Sequence, residues 1–160
     1  MQKEKSSTRF YIVWAAVIAL IFAAKGTGML TTAYVSGHSM VPTYQNGDIV
    51  LGTNLAELKA DSVVMAHSPT GHDVIKRIVA VPGDTVEVKG DSVIVNGEPT
   101  NGHENSPGCS VSLSGTYTLG EDEYFLAGDN RCNSIDSRSY GPVKKNAIFG
   151  VVFVHFQTGK

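Results

Sequence analysis

Thr85-Val86-Glu87-Val88-Lys89-Gly90-Asp91-Ser92-Val93-Ile94-Val95-Asn96-Gly97 holds two β-branched runs, separated by Gly-Asp and closed by Asn-Gly. Valine alternates with polar residues in the first run, the period of a strand with one buried face. The glycines and Asn96 supply the positive backbone φ that tight turns require. The stretch from Thr85 to Asn96 therefore reads as one β-hairpin. Outward from it the same texture continues, with short β-branched or aromatic runs at 32–35, 48–52, 62–66, 73–81, 116–119, 124–127 and 147–156. Asn46-Gly47, Gly83-Asp84 and Asn101-Gly102 punctuate them, and no stretch after Thr31 sustains a period of 3.6. Residues 54–59 read as a single helical turn with Asn54 as its cap, and 100–114, rich in Gly, Ser and Asn, as a long surface loop.

Composition agrees with one β-rich domain. The chain has 160 residues, 42% hydrophobic, with 17 glycines, enough apolar content for a core and enough glycine for many turns. A net charge of −2 with 18% charged residues provides no basic surface for general nucleic-acid binding. The two cysteines, Cys109 and Cys132, lack the close pairing of a zinc site and allow at most one bridge. His38, His67, His72, His103 and His155 are scattered and form no ligand set, so neither a metal nor a cofactor is expected.

The N-terminus has a different character. Lys3, Lys5 and Arg9 precede fifteen residues, 10–24, without a charged side chain. Fifteen helical residues span roughly 22 Å, short of a hydrocarbon core of about 30 Å. Extension through Lys25 to Leu30 supplies the rest, with the lysine snorkelling to the far interface. A cleavable signal peptide also starts this way, but cleavage after Ala24 or Ala23 would place Phe22 or Ile21 where a small residue is needed. The expected organisation is a cytoplasmic segment 1–9, a transmembrane anchor 10–30 and an extracytoplasmic domain 31–160. The apolar run at 147–155 is too short for a second span and reads as a core strand.

Three segments carry chemistry. In Ser36-Gly37-His38-Ser39-Met40-Val41-Pro42-Thr43 a serine sits where a strand meets a turn, beside backbone N–H groups able to face an oxyanion. His38, adjacent to it on an extended chain, points to the opposite face. In Val74-Ile75-Lys76-Arg77-Ile78-Val79-Ala80-Val81-Pro82-Gly83-Asp84, alternation puts Lys76 with Val74, Ile78 and Ala80, and Arg77 with Ile75, Val79 and Val81. One cation must lie among apolar neighbours; lysine tolerates this better, because desolvation favours a neutral amine, which is a base. An edge strand with two snorkelling cations is the plainer reading. The third segment, Gly128-Asp129-Asn130-Arg131-Cys132-Asn133-Ser134-Ile135-Asp136-Ser137-Arg138, is either a solvated loop or a polar network in which Asp129 or Asp136 pairs with Arg131 or Arg138.

In order and spacing these segments resemble the boxes of type I signal peptidases, membrane-bound Ser/Lys proteases that remove signal peptides from exported proteins. Ser39-Met40-x-Pro42-Thr43 resembles the serine box, Lys76-Arg77 with Pro82-Gly83-Asp84 the lysine box, and Gly128 to Arg138 the last box. The resemblance implies a mainly β fold of two antiparallel sheets sharing a core, preceded by one transmembrane helix, in the compact Gram-positive form. It implies Ser39 as nucleophile, Lys76 as general base, and Ser134 as a hydrogen-bond partner orienting the amine. Asp129, Asp136 and Arg138 become structural supports, and Val35, Met40, Val74 and Ile75 line the groove for an extended substrate with small residues near the cut. Where some relatives carry an oxyanion-donating serine, this chain has Gly37, leaving more of that role to the Ser39 N–H. The implied partners are signal peptides of secretory precursors, pilins among the candidates, and membrane lipid, at the bacterial cell membrane. Cys132 either pairs with Cys109 in an oxidising exterior or remains a free thiol. A non-catalytic accessory protein in pilus or exported-protein assembly is the alternative, against which stands the presence of both dyad residues.

Overall fold

The hairpin is present where its sequence requires one. In a computed structural model, which describes residues 11–19, 23, 26–90, 92–100 and 114–158, β5 (Thr85–Lys89) pairs antiparallel with β6 (Ser92–Val95). Asn96 and Gly97, both at positive φ, turn β6 into β7 (Glu98–Pro99), a short strand that the sequence pattern did not reveal. With β8 (Gly115–Thr118) on the other side of β5, these strands form a four-stranded antiparallel sheet in the order β7-β6-β5-β8.

The remaining strands form a seven-stranded sheet. They are β1 (Leu30–Tyr34), β2 (Ile49–Thr53), β3 (Val63–His67), β4 (Asp73–Ala80), β9 (Glu123–Ala127), β10 (Val143–Lys144) and β11 (Ile148–Phe156), in the order β1-β2-β11-β3-β4-β9-β10. Every pairing is antiparallel. The expected strands agree with the observed ones to within about two residues at each end, whereas β7 and β10, two residues each, lack a run long enough to show a period.

The two sheets share a cluster in which Val79, Ala80, Phe125 and Ala127 of the large sheet meet Val86, Val88 and Val93 of the small one and Leu119 beyond β8. A second cluster, with Val64, Ile78, Leu126 and Val151, belongs to the large sheet, and a third joins Val50, Val63 and Met65 of that sheet to Val35, Met40 and Tyr44 of the segment after β1. The third backs the serine segment. Gly52 and Gly150 make room for Met65, whose methyl would lie 2.3 Å and 2.7 Å from an added Cβ at those positions. A glycine inside the apolar β11 is thus a packing requirement.

Three expectations are corrected. Residues 54–59 form no helical turn: 54–56 bend and 57–59 have no regular structure. The alternation of β4 breaks at a bulge between Ile78 and Ala80, so Ala80 joins Val79 in the shared cluster instead of staying on the face of Lys76 and Ile78. The anchor does not run to Leu30, because 27–29 turn and Leu30 opens β1. Of the apolar N-terminal segment, residues 11–19 are helical and exposed, and among the described residues no helix is long and apolar enough to cross a membrane. Most of the loop at 100–114 lies outside the described residues.

Candidate active site

Chain direction places the Ser39 and Lys76 side chains opposite one another. Ser39 follows β1 in a tight segment whose entry is held by Val35 N–H donating to Asp48 O and Gly47 N–H donating to Val35 O, each at 2.8 Å. Asp48 is 1% exposed, and its carboxylate accepts from Gln45 N at 2.9 Å, bracing the far end of the same loop. Lys76 lies in β4, opposite Val64 of β3, and is 4% exposed. Its Nζ stands 2.7 Å from Ser39 Oγ. Burial pushes the amine's pKa down; Asp136 acts against that shift, Arg138 with it and Asp129 against it, and the net direction is downward. Of the two cations in β4, lysine is the one taken into the apolar environment.

Arg77 takes the other role. Its Nε and Nη2 bond Asp129 Oδ1 and Oδ2 at 2.8 and 2.6 Å, a bidentate pair, and Nη1 donates to Asp61 O at 2.7 Å. The Thr43 hydroxyl donates to the same Asp129 carboxylate. Desolvation would raise the Asp129 pKa, but the Arg77 and Thr43 hydrogen bonds outweigh it and hold it below the usual carboxylate range. The serine segment, β4 and the last box are thereby joined at one carboxylate. The sequence left Asp129 a choice between Arg131 and Arg138, and the structure gives it Arg77 from another strand.

Asp136 and Arg138 are both fully buried and pair with each other, with Nε to Oδ1 and Nη2 to Oδ2 each at 2.9 Å. Asp136 also caps the short helix Ser137–Tyr140 through Arg138 N, and its Oδ2 accepts from Gly128 N at 2.8 Å and Ser134 Oγ at 2.7 Å. Burial pushes this carboxyl up, and the Arg138 hydrogen bond and charge, helped by Gly128 and Ser134, bring it below its ordinary value. A buried pair with this many partners satisfies its polar atoms as well as its charges. Ser134 thus hydrogen-bonds Asp136, whereas the hydrogen bond of Lys76 runs to Ser39; the implied Ser134–Lys76 bond is not formed. Both serines crowd Gly128: an added Cβ would lie 2.3 Å from Ser134 Oγ and 2.6 Å from Ser39 O. Asn130 N–H donates to that Ser39 carbonyl at 3.0 Å, whereas Ser39 N–H donates to no group among the described residues. Gly37, at φ +91°, donates its N–H to Asn46 Oδ1 at 2.9 Å.

A cavity of about 120 Å³ opens at the pair, lined by Val35, Ser39, Met40, Val74, Ile75 and Lys76 among others. A second, of about 150 Å³, continues along Thr31–Tyr34, Asp73–Ile75, Met65 and Phe149. Both lie between two strand edges that lack partners among the described residues. There β1 pairs only with β2, and in the first half of β4, before Arg77, only the β3 side is paired. A larger cavity of about 410 Å³, bounded by Asn54, Leu58, Tyr124 and Ile148, contains neither Ser39 nor Lys76. Among the described residues no group of His, Cys, Asp and Glu could hold a metal. Cys132 is disulfide-bonded, not a free thiol, and the other cysteine of the chain, Cys109, lies outside the described residues.

A desolvated amine on a serine hydroxyl, open to a groove with free backbone edges, is the equipment of a serine endopeptidase acting on extended polypeptide. The comparisons with known proteins narrow this class. The profile of the family described as "Signal peptidase, peptidase S26" matches residues 8–157. Signal peptidase I V of Bacillus subtilis (strain 168) is 30% identical over 162 residues, covering 90% of this chain and 96% of that protein. Signal peptidase IB of Staphylococcus aureus is 30% identical over 167 residues, covering 91% and 87%. The crystal structure of a signal peptidase I from Enterococcus faecalis V583 covers 62% of this chain and all of that one, with 28% identity and a TM-score of 0.51. The chain belongs to the S26 signal peptidase family, and its activity is the removal of signal peptides from secretory precursors by a serine endopeptidase.

Proposed function

We propose that Ser39 is the nucleophile and Lys76 the general base of this peptidase. The observation that carries the assignment is the 2.7 Å contact between a buried amine and a hydroxyl at the mouth of the groove. In the reactive state the neutral Lys76 amine accepts the Ser39 proton while Oγ attacks the scissile carbonyl. The oxyanion is met by the Ser39 N–H, with Gly37 allowing the turn that leaves this donor uncommitted. The resulting Lys76 ammonium gives its proton to the departing amine, leaving an acyl-Ser39; water, deprotonated by the same amine, then releases the acid. Ser134 serves the site through its hydrogen bond to Asp136, not by direct contact with the amine, and with Asp129, Asp136 and Arg138 it keeps the three segments in register.

The substrate extends between the free edges of β1 and β4, with Val35, Met40, Val74 and Ile75 lining the subsites for small side chains. Residues 1–9 are cytoplasmic, 10–26 belong to an anchor in the bacterial membrane, and the domain that follows is extracytoplasmic. The basic flank and the exposed helix 11–19 support this topology. The test is cleavage of a precursor with alanine at the first and third positions before the junction, by detergent-solubilised protein. Ser39→Ala and Lys76→Ala should each reduce kcat/KM by roughly three orders of magnitude or more. A folded Lys76→Ala retaining near-wild-type cleavage would remove lysine from the mechanism.

A further inference from the structure

Among the residues lining the two groove cavities, only Lys76 and Asp73 are ionisable acids or bases of full charge, and Lys76 is committed to Ser39. Asp73 lines both cavities. Its carboxylate is held by a neighbour on the adjacent strand: Oδ1 lies 2.6 Å from His67 Nδ1, and the His67 ring rests on Phe149, with centroids 4.6 Å apart. Phe149 itself lines the second cavity. The carboxylate is therefore positioned, yet its side chain remains 69% exposed and accessible to a bound peptide.

From Asp73 to Lys76 is three residues of β4, roughly 10 Å at strand rise. Asp73 and Ile75 share a face by alternation, so Asp73 stands one side-chain repeat farther from the reacting pair than Ile75 does. We infer that Asp73 is a specificity-determining residue that favours a lysine or arginine in the precursor a few residues before the cut, where the peptide leaves the apolar subsite at Ile75. This rests on the Ser39–Lys76 reading and on a substrate bound along β1 and β4. The physical basis is charge complementarity at a solvated site, which amounts to a preference of roughly two- to five-fold.

The experiment uses the full-length protein in detergent and a set of precursors identical except for Lys or Glu at one of the second to sixth positions before the junction. For each enzyme the Lys/Glu ratio of kcat/KM is read at each position, so a general loss of activity cancels. Wild type should show a ratio of about two to five at one position in that range; Asp73→Asn should bring it near one, Asp73→Lys should invert it, and Asp73→Glu should restore it. Ratios that are the same in wild type, Asp73→Asn and Asp73→Lys at every position would overturn the inference while leaving the dyad intact. If wild type cleaves none of the precursors, the dyad reading fails instead. Should Asp73→Lys not fold, Asp73→Asn decides alone.

Discussion

Lys76 carries a conflict that its environment makes measurable. The features that suit it to the proposed role of base, burial beside apolar strands and a single hydroxyl partner, also make it costly to fold. Its folded pKa lies below the value of about 10.5 that it has in the unfolded chain, so the unfolded state holds more protons across the interval between the two. Stability accordingly falls as pH drops through that interval and is level below it. Lys76→Met should abolish cleavage yet stabilise the fold at neutral pH by about 1–3 kcal/mol, a rise of several degrees in Tm. The gain should be full below the folded pKa, shrink as pH rises towards 10.5 and vanish above it, as followed by thermal unfolding at a series of pH values. A Met variant less stable than wild type at pH 7 would mean that the amine is not paying a desolvation cost. The sequence already displayed the choice between Lys76 and Arg77 as the buried cation. It did not disclose that Arg77 would find Asp129, because that pairing spans 52 residues and depends on how β4 meets the last box.

At the scale of elements, the last box shows where sequence periodicity stops being informative. Strands announce themselves through alternation, so β5 and β6 were legible from valines and turn residues alone. Gly128 to Arg138 has no period; its conformation is set by hydrogen bonds to Asp136 from the backbone of Gly128 and Arg138 and from the side chains of Ser134 and Arg138. Residue types could suggest a polar network, but only the fold decides its pairings. The bulge in β4 is hidden for the same reason, since an alternating run does not record a partner strand one residue out of step. Gly128 is the tightest point of the network, and its requirement is space. In Gly128→Ala the new methyl meets the Ser39 carbonyl, a backbone atom, as well as the Ser134 side chain. Overpacking there should cost about 1–3 kcal/mol and displace the Ser39 segment, lowering kcat/KM by a factor of roughly 10². Urea unfolding and peptide cleavage would measure the two losses. A Gly128→Ala enzyme with unchanged stability and rate would show that Ser39 and the last box are not tightly coupled.

For the whole molecule, the proposed division of labour between an N-terminal anchor and the catalytic domain is consistent with where the packing lies. All three core clusters are built from residues of 33–152, and none includes a residue of the exposed helix at 11–19. The fold of the two sheets should therefore be independent of the N-terminal segment, while retention at the membrane should depend on it. Removal of residues 1–29 leaves β1 whole, beginning at Leu30. The shortened chain should unfold within a few degrees of the full-length protein, since every described residue of 1–29 is exposed and none belongs to a core cluster. Floated with lipid vesicles, the full-length protein should stay with the lipid at high salt, and the shortened one should be released. Release separates the proposed anchor from other exposed apolar side chains of the domain, among them Phe153, Val154 and Phe156 at the end of β11. Three isolated side chains bury far less apolar area than a membrane-spanning helix and provide at most a weak, reversible contact. A shortened chain that still floats quantitatively with the vesicles would transfer the anchoring role from the N-terminus to that strand end and overturn the proposed single-pass topology.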